Sequence, residues 1–205
     1  TGSVVSSNII TVTNSTPVLS SANLSPQTAY EATTITCNHP NATDADPIDV
    51  SNLTYEYNWY VSGVALNLNS NTLDGSNFDK NQDVYCTVTP SDGTPLTTGV
   101  GSGVGLTVSS QPITIQNTPP VLGSVDLTPD PAYESDTLAC VPTANTYTDD
   151  DNDTITFSYD WVVNNVTLGI NSPSLSGTNF DETDVVNCIA IPEDGTDSGL
   201  SVASN

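Results

Sequence analysis

The stretch YEYNWYVSGVAL, residues 55–66, decides the fold, because large apolar side chains stand at every second position from Tyr55 to Val61. A strand with one face in a core needs that period of two. The same pattern returns in FSYDWVVNNVTL, residues 157–168. Elsewhere, short alternating runs are broken by Gly, Pro, Asn and Asp, and no stretch has a sustained helical period. The sequence therefore predicts an all-β protein.

The chain is built from a repeat of about 102 residues that occurs twice. Residues 18–37 (VLSSANLSPQTAYEATTITC) match residues 121–140 (VLGSVDLTPDPAYESDTLAC), and each copy then carries one Trp and one further Cys at nearly the same spacing. Blocks of this length have the usual size of a single domain. Tandem modules are typical of rods, stalks and fibres, so we expect two domains in series.

The composition excludes several functional classes. There are 24 acidic residues against a single basic one, for a net charge of −23. Such a surface repels phosphates and anionic lipid headgroups, so neither nucleic-acid binding nor electrostatic docking to a membrane is expected. The sequence has no run of 18 apolar residues, so we also expect no direct membrane insertion. The sequence has one His and no Gly-x-Ser-x-Gly motif, so a hydrolase triad is missing and we expect no enzymatic activity.

The four cysteines fall two to a repeat, with none left over. Their spacing lacks the CxxC clusters of zinc and redox sites, which favours two disulfides, Cys37 with Cys86 and Cys140 with Cys188. Closing a loop of roughly 50 residues stabilises a fold by about 4 kcal/mol in the chain-entropy model. Because such bonds persist in an oxidising compartment, the sequence predicts an extracellular or cell-surface protein.

A Cys on either side of a Trp, together with the Trp-x-Val-x-Gly-Val-x-Leu segment at Trp59–Leu66, resembles the immunoglobulin-like sandwich. With its Asn-Thr-x-Pro linker, Asp-x-Asp loop and Thr-Pro-x-Asp-Gly stretch, the chain is similar to immunoglobulin-like and PKD-like tandem repeats of very large prokaryotic surface proteins. The resemblance implies two β-sandwich modules, each with a disulfide between its second and sixth strands. Val84 and Val186 stand where antibody domains carry a corner Tyr, which favours a prokaryotic variant.

The linkers NSTP at 14–17 and NTPP at 117–120 mark the domain boundaries. We expect an N-terminal strand at 1–15, a first repeat at 16–117 and a second repeat at 118–205. Residues 104–115 (VGLTVSSQPITI) have the pattern of the last strand of the first repeat, and residues 1–12 (TGSVVSSNIITV) match them. The second repeat reaches Asn205 before any equivalent of the Ile-Thr-Ile segment, so it lacks the end of its last strand.

Two alignments describe how that strand is supplied. If Asn205 is followed by Thr1 of another copy, the joined sequence aligns without a gap to residues 92–117. A competing alignment places residues 201–205 (SVASN) against residues 4–8 (VVSSN), with eight residues deleted from the loop after Asp194.

Either alignment predicts partners that are flanking repeats of the same chain or copies of the protein in a head-to-tail polymer, each donating its first strand to a neighbour. We therefore expect a structural repeat unit of an extracellular filament, fibre or giant surface protein.

Aspartates concentrate in the loop between the first Cys and the Trp of each repeat. Alternating Asp in a turn resembles calcium loops, because Ca²⁺ takes six to eight oxygen ligands, although the EF-hand pattern is absent. Our hypothesis is that Ca²⁺ bridges modules and stiffens the rod, and the alternative is that these are solvated acidic turns. The candidate ligands are Asp44, Asp46, Asp49, Asp149, Asp151, Asp153, Asp194 and Glu31.

Two further features concern the surface. Asn-x-Ser/Thr sequons are common by chance in a chain this rich in Asn, Ser and Thr, and they occur at Asn14, Asn23, Asn41, Asn52, Asn152 and Asn165. An adhesin module that binds carbohydrate or protein is the alternative function, and it needs an exposed aromatic platform. The aromatic residues outside the core register are Tyr30, Tyr60, Tyr85, Tyr133 and Tyr147.

Overall fold

The computed structural model describes residues 2–95 and 101–205, and in these ranges the chain is all-β, as predicted. The protein divides into two compact units, Thr1–Gln116 and Asn117–Asn205. This boundary lies one residue before the predicted one. Each unit is a β-sandwich with one disulfide.

Unit 1 has one sheet with the strand order β1-β2-β5 and a second with the order β4-β3-β6-β7, in which β8 also pairs with β6. All of these pairs are antiparallel. The strands are β1 (Asn23–Ser25), β2 (Ile35–Asn38), β3 (Thr54–Val61), β4 (Val64–Ala65), β5 (Thr72–Leu73), β6 (Asp83–Ser91), β7 (Val108–Ser109) and β8 (Ile113–Thr114). Two short 3-10 helices span Asp49–Asn52 and Gly75–Asn77.

Unit 2 repeats this plan, with sheets β10-β11-β15 and β14-β13-β16-β17 and a small pair β12-β9. Its strands are β9 (Val121–Leu122), β10 (Val125–Thr128), β11 (Thr137–Pro142), β12 (Tyr147–Thr148), β13 (Thr156–Val163), β14 (Val166–Thr167), β15 (Ser174–Ser176), β16 (Val186–Glu193) and β17 (Val202–Ala203). A 3-10 helix spans Gly177–Asn179.

The predicted disulfides are confirmed, and each lies beside a fully buried Trp. Cys37 bonds to Cys86 and Cys140 to Cys188, so each bond links the two sheets of its unit. Trp59 lies opposite Cys86 in the register of β3 with β6, and its Nε1–H donates to the Ser70 carbonyl at 2.8 Å. The corresponding Trp in unit 2 has the same arrangement. The buried ring therefore keeps its polar atom satisfied while it packs against the disulfide.

A tight hairpin follows each Trp strand. The turn between β3 and β4 consists of Ser62 and Gly63, both with positive φ, and Asn164 and Asn165 occupy the same place in unit 2. Positive φ at both central residues is what a two-residue turn needs to match the strand twist, and Gly and Asn tolerate it best.

The disulfides indicate an oxidising, non-cytoplasmic environment. Within residues 2–95 and 101–205, no helix has both the length and the apolar character needed to cross a membrane.

Candidate functional site

The last strand of unit 1 closes its sandwich through two isoleucines. Ile113 and Ile115 are 7% and 0% exposed, and β8 pairs with β6 through Ile113 and its neighbour. The chain after β8 also contacts the segment between β1 and β2 of the other sheet, because the N–H of Gln116 donates to the Ala29 carbonyl at 2.8 Å. This short segment thus supplies core side chains and joins both halves of the sandwich.

Unit 2 has no strand at the place of β8 among residues 117–205, all of which the structure describes. Three residues that are buried in unit 1 are half-buried or exposed at the equivalent positions of unit 2. The pairs are Leu24 and Leu127, Ala29 and Ala132, and Val84 and Val186. An open groove of about 1220 Å³ lies there, and its lining includes Leu138, Phe180 and Asn205. We call it the strand groove.

The register of β17 shows how much of the last strand unit 2 already has. Val202 and Ala203 pair with β16, and Ser204 exchanges hydrogen bonds with Cys188, its N–H to the carbonyl at 2.8 Å and its Oγ from the Cys N–H at 3.1 Å. In unit 1, Ser110 makes the same two bonds with Cys86. Ser204 is therefore the counterpart of Ser110, and Asn205 is the counterpart of the residue that precedes Pro112.

This register is that of the competing alignment, so the gapless alignment of the joined sequence is wrong for unit 2. The loop between Asp194 and β17 is shorter than its equivalent in unit 1, which includes residues 96–100, outside the described ranges. The approach of Gly199 to Pro120 repeats that of Gly105 to Pro17, since a Cβ on either glycine would meet the proline carbonyl. Residues 117–205 therefore include a counterpart of β7 but none of the segment 112–116.

The N-terminal segment has the sequence of that missing piece. Residues 9–13 (IITVT) correspond to 112–116 (PITIQ), which aligns Ile10 with Ile113 and Val12 with Ile115. Residues 2–13 form no strand, and Ile10 and Val12 are 84% and 90% exposed. The predicted N-terminal strand is therefore unpaired, and its apolar side chains face solvent.

Where each unit begins, a linker asparagine is held by two loops. The side-chain amide of Asn14 donates to Asp92 Oδ2 and to the Ser102 carbonyl, both at 3.0 Å. The next residue, Ser15, donates its N–H to Asp46 Oδ2 at 3.2 Å. We call this arrangement the linker clamp of unit 1.

The linker clamp of unit 2 has the same design. The Asn117 amide donates to Asp194 Oδ2 and Asp197 Oδ2, both at 2.9 Å, and the N–H of Thr118 donates to Asp151 Oδ2 at 2.6 Å. The acidic loops thus anchor the start of each unit through hydrogen bonds to carboxylates, which are stronger than those between neutral groups. Neither clamp was predicted, although the repeated NSTP and NTPP linkers were the signal that could have indicated them.

Three of the predicted calcium ligands lie together. One carboxylate oxygen from each of Asp149, Asp151 and Asp153 falls within 4.8 Å of the others. Asp149 Oδ2, Asp151 Oδ1 and the hydroxyl of Thr118 are buried atoms without a hydrogen-bond partner. Oxygens of this kind suit a hard cation such as Ca²⁺.

The other predicted ligands do not join such a group within the described residues. In unit 1, Asp44 Oδ1 accepts the N–H of Asp46, as Asp149 does for Asp151, but the loop then continues into the 3-10 helix that begins at Asp49. Asp194 is committed to the linker clamp. Glu31 accepts the N–H of Lys80 at 2.8 Å.

Two aspartates of unit 1 have shifted pKa values of opposite sign. Burial acts to raise the pKa of Asp92, but the hydrogen bonds from Asn14 and Thr94 outweigh it and hold this pKa below its ordinary value. The pKa of Asp49 is raised, first by desolvation and then by the negative charges of Asp92 and the other aspartates of its loop. The hydrogen bonds of the linker clamp thus favour the charged form of Asp92, whereas desolvation and the neighbouring negative charges disfavour the charged form of Asp49.

The sequons differ in their surroundings. Both amide hydrogens of Asn14 are used in the linker clamp, so a glycan there would replace one of those bonds. The other five sequon asparagines are exposed: Asn23, Asn41, Asn52, Asn152 and Asn165.

The candidate aromatic residues include one stacked pair, in unit 1. Tyr60 and Tyr85 stack on each other across β3 and β6, with ring centroids 4.6 Å apart, and Val162 and Asn187 form the equivalent pair in unit 2. Tyr147 packs edge-on against Phe157. Tyr30 and Tyr133 lie elsewhere, at the edge of the last strand in unit 1 and at the strand groove in unit 2.

No protein-family model matches the chain, and no curated protein sequence matches it.

Proposed function

We propose that this protein is a structural repeat unit of an extracellular fibre, filament or giant surface protein, joined in series to further modules through completion of unit 2. The observation that carries the proposal is the strand groove. One unit has its last strand and a closed core, and the other has the same architecture with that strand missing and its core residues open. An open sandwich edge with unpaired backbone groups is a strong site of strand addition.

The covalent design suits a load-bearing role. The disulfides join residues 49 and 48 positions apart in the two units, so about half of each module cannot extend even when its sheets separate. The linker clamp fixes the chain at the start of each unit by bonds to residues 77 to 88 positions away. A pulling force along the chain would thus be resisted by the disulfide inside each module and by the linker clamp at its start.

The surface charge supports an extended assembly in water. With a net charge of −23, neighbouring fibres repel one another, and this repulsion weakens as salt rises. The same charge attracts cations, and the trio Asp149, Asp151 and Asp153 at the linker clamp is where we propose that Ca²⁺ binds.

Immunogold labelling of intact cells with an antibody raised against the folded chain tests the proposal. We expect the label to follow extended structures on the cell surface. Label confined to the cell interior, or to dispersed secreted protein, would contradict a structural role in a fibre. Denaturing mass spectrometry of the labelled material then separates the two forms: about 21 kDa means assembled subunits, and a far larger mass means a single covalent chain.

A further inference from the structure

We infer that the strand groove is filled by residues 9–13 of a second copy of this chain, in the register that residues 112–116 take in unit 1. This inference deepens the proposed function, on which it rests, by naming the partner and the pairing. It assigns Ile10 to the position of Ile113 and Val12 to that of Ile115.

The backbone partners follow from unit 1. There, Ile115 donates its N–H to the Gln82 carbonyl and accepts the N–H of Asn81, at 2.9 and 2.8 Å. The counterparts in unit 2 are Asp184 and Thr183, which both line the groove. Val12 of the second copy would take up both bonds.

The contacts of unit 1 also predict the partners of the C-terminal end of the donated strand. In unit 1, Gln116 forms a parallel bridge with Tyr30 and donates to Ala29. Thr13 would do the same with Tyr133 and Ala132. Tyr133 is 70% exposed whereas Tyr30 is 40% exposed, as expected where the covering strand is missing.

Charge also favours this occupant. The groove is bordered by acidic residues, namely Asp126, Asp130, Glu134, Asp181, Glu182 and Asp184. Residues 1–30 contain no charged side chain, and the first acidic residue is Glu31. A neutral apolar strand therefore avoids the repulsion that an acidic segment would meet in the groove.

The register of β17 sets the point at which a donated strand begins to pair. In unit 1, Ile113 follows Gln111 by two residues, and Gln111 is the counterpart of Asn205. In a second copy, residues 4–8 repeat the segment that residues 201–205 already provide, so the pairing of the donated strand begins at residue 9. The linker clamp then follows at the same distance, since Asn14 lies two residues after Val12 and Asn117 two after Ile115.

Substitutions at Ile10 and Val12 test the register of the donated strand. They should not destabilise the core of either unit, because both side chains are exposed in the single chain. Ile10→Ser and Val12→Ser are expected to weaken self-association of the full chain about 30-fold each, the equivalent of about 2 kcal/mol for one buried aliphatic side chain. The matched control is Ile9→Ser, because Ile9 corresponds to Pro112, which is exposed in unit 1. Sedimentation velocity at moderate salt gives the association constants. Equal effects of all three substitutions would overturn the register.

Cross-linking identifies the molecule that donates the strand. The full chain with Ile10→Cys is mixed with the full chain with Val186→Cys and oxidised mildly, with Ile9→Cys as the control partner. We expect a covalent dimer from the Ile10→Cys mixture only. A third protein carries both Ile10→Cys and Val186→Cys in the same chain. If its new disulfide forms within one chain and not between chains, the molecule closes its own groove and the inference is overturned. Surface fibres without any intermolecular cross-link would leave the proposed function standing and assign the strand to flanking residues of a longer chain.

Discussion

Replacement of Ile115 by Ala tests whether the last strand holds a module closed. Ile115 is fully buried, and its backbone is bonded on both sides, to Gln82 and Asn81. Replacement of a buried Ile by Ala costs about 2–5 kcal/mol, more where the surroundings cannot collapse into the cavity. Because the backbone bonds hold the strand in place, we take about 3 kcal/mol as the loss in the free energy of unfolding of unit 1.

Calorimetry of the full chain measures this loss as a change in melting temperature. For a domain near 100 residues, 1 kcal/mol shifts the Tm by roughly 4 °C or more, so we expect the transition of unit 1 to fall by at least roughly 12 °C. The transition of unit 2 should not move, because the substitution lies outside its core. The control is Thr114→Ala on the same strand, where an exposed hydroxyl that donates to Asp83 at 2.6 Å is lost, at a cost of about 1 kcal/mol.

The reasoning is refuted if Ile115→Ala lowers the Tm of unit 1 no more than Thr114→Ala does. That result would mean that the last strand contributes little to the closed sandwich. The strand groove of unit 2 would then offer little energy to a donated strand.

Three further outcomes are expected. Reduction of the disulfides should destabilise each unit by about 4 kcal/mol in the chain-entropy model, measured by urea unfolding with and without reductant, and equal midpoints would contradict this. The folded-state pKa of Asp92 lies below its unfolded value of about 3.8, so its contribution to stability is present above that pH and is lost as the pH falls through the folded pKa. Asp92→Asn should therefore reduce the loss in the free energy of unfolding of unit 1 at acid pH. An unchanged acid dependence would contradict this. Calorimetric titration with Ca²⁺ should show binding that Asp149→Asn removes. The control Asp150→Asn, at the exposed neighbouring residue, should retain that binding. Equal heats of binding in all three proteins would assign the cation to diffuse surface charge.

The fold could be predicted because its signals are local or strictly repeated. Alternation around Trp59 specifies a half-buried strand, and the duplicated cysteines leave few pairings once zinc and redox spacings are excluded. The structure confirms the two sandwiches and both disulfides. These features depend on side-chain period and on residue type, which the sequence displays directly.

The register of the last strand could not be predicted, because two Ser-rich segments fit the same pattern and loop length does not constrain them. The choice depends on the Ser204 hydroxyl and the Cys188 N–H, residues that meet only when β16 and β17 pair. The linker clamps were missed for a similar reason, since Asn14 reaches a carboxylate 78 positions away. The alternating Asp pattern indicated all three members of the trio in unit 2. It also indicated Asp44, Asp46 and Asp49 in unit 1, where the loop continues into a 3-10 helix at Asp49 and no such group is found among the described residues.

The measurement that tests the central claim most directly is amide hydrogen exchange at Thr183 as a function of protein concentration. In unit 1 the equivalent amide, Asn81, donates to Ile115 and serves as the internal reference. We predict that Thr183 exchanges rapidly in dilute protein and becomes protected as copies associate, while Asn81 is protected throughout. Exchange at Thr183 that is fast at every concentration, or slow at every concentration, would contradict completion of unit 2 by a second copy.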